Sequence, residues 1–284
     1  MAKILVKEVL TPQIKLMVVD VPRIARKAKP GQFVVVRFHE QGERIPLTIA
    51  DFDPDAGTVT IIFQEVGKST VHLGEMEEGD DILDFVGPLG REIEEKNFGH
   101  VVCVGGGVGI APVYPKARAL KMLGNFVTSI IGARTADLIF WEKEMRSVSD
   151  VLHVTTDDGT YGEKGFVTQV LENTLKKDTV DLVVAVGPLI MMKMVSLLTK
   201  KLGIPTLVSL NPIMVDGTGM CGCCRVTVGE KCKFTCVDGP VFDGHQVDYD
   251  ELLARQRTYL DEEQRAMEVW RMKKAEEETI RVTK

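Results

Sequence analysis

Between about His100 and Leu210 the chain alternates short apolar runs with helical patterns, and this rhythm limits the possible folds more than any other feature. The apolar runs are Val101–Val104, Val127–Ile131, Val151–Thr155, Leu182–Val186 and Thr206–Leu210. Helical patterns fall between them, roughly at Ala111–Leu123, Leu138–Ser147, Val167–Lys176 and Ile190–Leu202. Near-continuous apolar strands that alternate with helices are buried on both faces, which predicts a parallel sheet with helices on each side.

Residues up to about Asn97 follow a different pattern. Runs at Ile4–Val9, Ile14–Val19, Phe33–Phe38, Thr58–Phe63 and Ile82–Phe85 are separated by turn signals such as Pro30-Gly31 and Asp55-Ala-Gly57. Short strands of this kind suggest a small antiparallel barrel. From Asp250 the sequence is charged and helical, with Leu252, Leu253, Tyr259, Leu260, Ala266, Met267 and Trp270 on one stripe. The expected division is a barrel over 1–98, an α/β domain over 99–210, a cysteine module over 211–249 and a terminal helix over 250–284. That helix is expected to pack on its own chain, with docking on a partner through Leu253, Leu260 and Met267 as the alternative.

A chain of 284 residues can hold two domains and a small module. Its net charge of -6, with no basic run, gives no support for a nucleic-acid partner. Met1-Ala-Lys leads straight into a strand pattern, no stretch is apolar enough to span a membrane, and a cytoplasmic setting is expected.

The chain has 6 Cys, of which Cys221, Cys223, Cys224, Cys232 and Cys236 are crowded together. A disulfide framework would spread its cysteines to staple distant segments; crowding points to metal ligation in a reducing compartment. Cys103 lies apart in Val101-Val-Cys-Val104 and reads as a small core residue.

Asp216-Gly-Thr-Gly-Met-Cys221-Gly-Cys-Cys224, followed by Cys236, reproduces the Cys-x4-Cys-x2-Cys…Cys spacing of plant-type two-iron clusters, with Asp216 in the first position. Adjacent Cys223 and Cys224 diverge, and spacing selects Cys224. Asp216 has an alternative as an Asx-turn residue before Gly217, in which case Cys223 or Cys232 would ligate. A zinc site built from Cys221, Cys224, Cys232 and Cys236 is a further alternative, although the Cys-x3-Cys half is irregular for zinc knuckles. The spacing favours iron–sulfur.

Val104-Gly-Gly-Gly-Val-Gly-Ile-Ala-Pro112 follows a buried strand and opens a helix. Gly105, Gly106, Gly107 and Gly109, with Val108, let a pyrophosphate approach the backbone and the helix N-terminus. Pro112 suits a first helical turn. Ile110 departs from GxGxxG, and the usual acidic ribose partner is replaced by Arg134, which can accept a 2′-phosphate or lie in a solvated loop. These residues leave NAD versus NADP open. Asp157-Asp158-Gly159 is placed to neighbour a ribose or nicotinamide, Gly187 and Pro188 to flank nicotinamide, and Met191 and Met192 to pack a helix. None of the 5 His has a spacing that suggests a ligand or base.

Pro30-Gly-Gln-Phe33, Arg44-Ile-Pro-Leu-Thr48, Gly67-Lys-Ser-Thr70, the glycine turn and Val186-Gly-Pro-Leu-Ile-Met-Met192 together resemble the ferredoxin–NADP reductase superfamily in order and spacing. The resemblance implies an FAD-binding barrel followed by a pyridine-nucleotide domain. Arg44, Pro46, Leu47 and Thr48 would then line the flavin, and Gly67, Lys68, Ser69 and Thr70 would hold its pyrophosphate through N–H groups and hydroxyls.

With the cysteine module, the whole chain is similar to iron–sulfur flavoprotein electron-transfer subunits. One branch serves class 1B dihydroorotate dehydrogenase. The other is the small subunit of NADH-dependent reduced ferredoxin:NADP oxidoreductases, also described as a sulfide dehydrogenase subunit, and Asp216 in place of cysteine favours it. That branch implies FAD, a [2Fe-2S] cluster held by Asp216, Cys221, Cys224 and Cys236, and NAD(H). It also implies a heterodimer with a larger iron–sulfur flavoprotein, through which ferredoxin and NADPH react in electron bifurcation. A non-enzymatic alternative is a regulatory module that binds zinc and senses NAD(H).

Overall fold

The computed structural model describes residues 2–282. The first unit contains β1 (Ala2–Thr11), β2 (Ile14–Asp20), α1 (Pro22–Ala25), β3 (Phe33–Arg37), β4 (Ile45–Asp53), β5 (Thr58–Gln64), α2 (Lys68–Gly74), β6 (Asp81–Ile82) and β7 (Asp84–Leu89). Its strands form one antiparallel sheet in the order β6-β1-β2-β5-β4-β3-β7. The two edge strands follow each other in sequence with only Leu83 between them, so the sheet nearly closes. Alternation sends Val34 and Val36 inward, where they pack with Ile4, Met17, Ile61 and Phe63. The apolar run at 82–85 is therefore two short strands.

β4 was hidden in the sequence by its proline and polar residues. It pairs with β3 over Ile45–Thr48 and with β5 over Ile49–Asp53. Pro46 thus lies where β4 has a single neighbour, the setting in which a strand tolerates proline.

The second unit contains β8 (His100–Gly106), α3 (Ile110–Met122), β9 (Phe126–Ala133), α4 (Glu142–Ser147), β10 (Val151–Thr156), β11 (Glu163–Lys164), α5 (Val167–Lys177), β12 (Leu182–Val186), α6 (Leu189–Leu202) and β13 (Thr206–Ser209). Strands β11-β10-β9-β8-β12-β13 are parallel neighbours, as the strand–helix rhythm requires. α4 starts later than expected because Ala136–Leu138 form a 3-10 turn and Trp141 adopts a left-handed φ of 55°.

The two sheets share a core. Ile14, Leu16, Ala50 and Ile62 of the barrel pack with Val101, Cys103, Ile110, Val113 and Ala117. At the edge of this seam Arg118 of α3 pairs with Asp51 of β4 at 2.5 Å. Its guanidinium also lies over the Phe52 and Tyr114 rings.

Lys116, on α3, is fully buried and among the described residues donates only to the Pro112 carbonyl, at 2.8 Å. Burial pulls its pKa from 10.5 to about 8. The unfolded chain therefore binds more protons between those values, so this group adds stability as pH rises from about 8 to 10.5 and imposes its full penalty below. That penalty is about 3 kcal/mol, offset by about 1 kcal/mol for the hydrogen bond. Lys116→Met is expected to raise the thermal midpoint at pH 7 by an amount equivalent to about 2 kcal/mol, with the gain shrinking toward pH 10. Thermal denaturation of both proteins across that range tests it, and a pH-independent difference would contradict it.

The cysteine module adds a hairpin, β14 (Arg225–Val228) and β15 (Lys231–Phe234), then α7 (Thr235–Asp238) and β16 (Val241–Asp243). Gly229 and Glu230 both have positive φ, the geometry of a two-residue primed hairpin turn. β16 pairs antiparallel with β13 and so extends the second sheet.

The expected single terminal helix is two: α8 (Tyr249–Gln256) and α9 (Leu260–Val282). The apolar stripe is correspondingly divided. Leu252 and Leu253 pack into the core of the second sheet, whereas Tyr259 and Leu260 at the break are exposed. α9 lies against α2, where Lys274 pairs with Glu75.

Candidate functional site

The glycine turn lies at the C-terminal ends of adjacent strands β8 and β12. Gly105 and Gly106 end β8, and Gly107, Val108 and Gly109 form one 3-10 turn into α3. A Cβ on Gly109 would fall 2.3 Å from the Val186 carbonyl oxygen, so only glycine permits this approach to β12. Gly107, at φ +54°, has open space above it. Gly187 and Pro188 follow β12 directly and face this turn, with Met191 closing over Gly106 and Gly187. Met192 is core.

Arg134, exposed at the end of β9, adjoins the turn after β10: Asp157 N–H donates to Ala133 and Asp158 N–H to Arg134. The Asp158 carboxylate accepts from the Thr160 N–H and hydroxyl, which hold its pKa below the usual range. It serves its own turn. Asp157 and Arg134 have no such side-chain commitment among the described residues.

On the barrel, β3 pairs with β4 so that Phe33 faces Thr48, Val34 faces Leu47 and Val35 faces Pro46. Directly opposed residues share a face, so Pro46 and Thr48 lie on the outer side with Phe33 and Val35. Leu47 packs toward the barrel core, so its side chain turns away from the outer face that carries Pro46 and Thr48. Gly67 is the N-cap of α2. The Thr70 hydroxyl accepts from the Val66 and Gly67 N–H groups and donates to the Gly67 carbonyl, and the Ser69 hydroxyl donates to Glu43. Both hydroxyls are therefore occupied. The N–H groups of Lys68, Ser69 and Thr70 have no acceptor among the described residues and are the donors available to a pyrophosphate.

The four ligand candidates fall into two pairs. Cys224 and Cys236 are buried, with sulfurs 3.3 Å apart and no disulfide between them. Asp216 accepts from the Thr218 and Cys221 N–H groups, each at 2.8 Å, and lies within reach of the Cys221 thiol. These donors, led by Thr218, lower the Asp216 pKa. Burial, reinforced by the neighbouring Cys224, pushes Cys236 up to about 12. As a bare thiol it stays protonated, and a bound cation is what would ionise it.

Beside it the Thr235 hydroxyl is buried without a partner. Cys232 is exposed on β15 opposite Thr227, and Cys223 donates its N–H to the Cys221 sulfur. Among the described residues no three His, Cys, Asp or Glu converge on a point suited to one metal ion.

Comparison with known proteins places these features. Residues 103–197 match the oxidoreductase NAD-binding domain, and residues 211–248 match the iron–sulfur cluster binding domain of dihydroorotate dehydrogenase B. The chain is 53% identical over 242 residues to a dihydroorotate dehydrogenase B (NAD(+)) electron transfer subunit homolog of Thermotoga maritima, covering 85% of this chain and 86% of that one. It is 34% identical over 236 residues to the dihydroorotate dehydrogenase B electron transfer subunit of Shouchella clausii, covering 80% and 89%. The chain belongs to this electron-transfer-subunit family.

A solved structure of an NADH-dependent reduced ferredoxin-NADP oxidoreductase, described in terms of flavin-based electron bifurcation, is also similar. The TM-score is 0.91 at 48% identity, with 95% of this chain and 98% of that one covered. As a family member the chain is an oxidoreductase subunit for electron transport, with FAD, NAD(H) and an iron–sulfur cluster as cofactors.

The residues present fit those groups. The open glycine turn suits a dinucleotide, the outer face of β4 with the free α2 N–H groups suits a flavin, and the paired ligands suit a cluster. Sequence reasoning did not single out Glu43, the partner of Ser69, or Phe33 and Val35, which pack against Cys224 and Cys236. Phe33 stood in a quoted motif, yet its contact with the cysteines depends on strand register and on a loop about 190 residues further along the chain, which the spacing rules do not reach.

Proposed function

We propose that this chain is the small subunit of an electron-bifurcating transhydrogenase, exchanging hydride with NAD(H) and single electrons with a larger iron–sulfur flavoprotein. Within the complex, NADPH oxidation is coupled to reduction of NAD+ and ferredoxin. When bound, FAD supplies conversion between a hydride and two single electrons, and a [2Fe-2S] cluster supplies one-electron transfer.

The chain's own residues do the holding. Gly105, Gly106, Gly107, Val108 and Gly109 receive the dinucleotide backbone, with Gly187 and Pro188 beside the nicotinamide and Arg134 and Asp157 toward the ribose. Arg44, Pro46 and Thr48 orient the flavin ring, and the Lys68–Thr70 N–H groups bind its pyrophosphate. Asp216, Cys221, Cys224 and Cys236 would hold the cluster, with Asp216 and Cys221 toward the surface and Cys224 and Cys236 buried.

The observation that carries this reading is the division of the ligands into two pairs, one buried and one at the surface. A single zinc ion would draw Cys221, Cys224, Cys232 and Cys236 to one point. Asp216 supports the bifurcating branch. The family's dihydroorotate-linked members support a second reading, in which the partner oxidises dihydroorotate.

Purifying the chain with its native partner and assaying both couples tests the assignment. NADPH-dependent reduction of ferredoxin with NAD+ supports the first reading, and dihydroorotate oxidation supports the second. Asp216→Cys is expected to keep the cluster and lower its potential, since thiolate donates more strongly than carboxylate. A redox titration with no shift would remove Asp216 from the ligand set.

A further inference from the structure

We propose that Phe33, with Val35 beside it, is the positioning contact that sets electron transfer between the flavin strand and the cluster; this deepens the function proposed above. Phe33 and Val35 are each 3% exposed and lie on the outer face of β3. On that face they form one apolar group with Cys224, Cys236, Leu89, Met214 and Phe234. Across the ladder, Phe33 is directly opposite Thr48 and Val35 is opposite Pro46.

Neighbouring strands are about 4.8 Å apart, and opposed side chains on one face touch. The flavin residues and the buried cysteine pair are therefore adjacent on one surface, and Phe33 contacts both sides. The loop is fitted to this wall. Gly217, at φ +74°, lies so close that a Cβ there would be 2.8 Å from Val35 and 3.1 Å from Leu89. The side of the ligand set nearest the flavin strand is thus Cys224 with Cys236, while Asp216 and Cys221 lie toward solvent.

Electron bookkeeping gives this contact its role. NADH delivers two electrons and a proton to the flavin as hydride, and the cluster accepts one electron at a time. The pair therefore leaves in two single-electron steps across the Phe33 wall, and the proton is released to solvent. A loosened wall slows those steps without touching the nicotinamide side, which lies at the ends of β8 and β12.

The test is anaerobic stopped-flow mixing of the intact subunit with NADH, following flavin bleaching and cluster reduction separately. Flavin and iron content and both midpoint potentials are measured on the same samples. Phe33→Leu is expected to leave content, potentials and flavin bleaching unchanged and to slow cluster reduction severalfold, with Phe33→Tyr restoring the rate. Val35→Ala, a smaller change, is expected to act in the same direction if Phe33→Leu fails to fold.

Cluster reduction at the wild-type rate in correctly loaded Phe33→Leu or Val35→Ala would overturn the inference while leaving the proposed function intact. A wild type whose flavin is bleached by NADH while its cluster stays oxidised would overturn both.

Discussion

Cys236→Ala is expected to give a flavin-containing protein that NADH still reduces but that carries no iron–sulfur cluster. Cys236 is 1% exposed and its sulfur lies 3.3 Å from that of Cys224, so the variant loses one of the two buried sulfurs of the proposed ligand set. No other cysteine can replace it. Cys232 is on β15 opposite Thr227 and open to solvent, and Cys223 turns its backbone toward Cys221. Metal affinity is also folding energy for such a loop, so the segment around Asp216–Cys224 should become sensitive to proteolysis. Iron and sulfide per chain, the visible spectrum after NADH, and electron delivery to the partner should separate cleanly. Cluster content and delivery fall to background, and flavin bleaching persists. Cys232→Ala should retain all three. A Cys236→Ala protein with full iron content would refute the ligand set.

The second large effect concerns Gly109. A Cβ there would lie 2.3 Å from the Val186 oxygen, 2.6 Å from its carbonyl carbon and 2.7 Å from the Gly187 Cα. All three atoms are backbone, so no rotamer change relieves the clash and the Gly107–Gly109 turn must move from the end of β12. Overpacking of this sort costs about 1–3 kcal/mol. Because the displaced segment is the turn proposed to receive the dinucleotide, Gly109→Ala should weaken NADH binding by roughly ten- to a hundredfold. Dithionite should still reduce flavin and cluster, since the barrel and the cysteine loop are untouched. NADH titration of the flavin absorbance measures the loss, and wild-type affinity would show that this turn does not receive the nucleotide.

Five strands of the second sheet were readable because buried parallel strands repeat one signal: apolar runs such as Val101–Val104 and Leu182–Val186, each followed by a helix; the short edge strands β11 and β16 carry no such run. β4 was not readable as a strand because Pro46 and Thr48 break the alternation that marks a barrel strand. They are also residues proposed to meet a flavin. The pairing of Asp216 with Cys221 and of Cys224 with Cys236 follows the sequence spacing because the loop itself builds both contacts. The engagement of Ser69 by Glu43 was not, since the partners are 26 positions apart and no periodicity links them. The break between α8 and α9 was also missed: Arg257, Thr258 and Tyr259 carry no proline or glycine to announce it.

The cysteine module is attached to one unit and rests on the other. Its β16 continues the nucleotide-binding sheet through β13, while its ligand loop sits on Val35 and Leu89 of the barrel. Any rotation that opened the nucleotide unit away from the flavin would carry the module's anchor with it and lift the loop from its seat. The core shared by the two units, with Arg118 paired to Asp51 at its edge, braces the loop's seat against such a rotation.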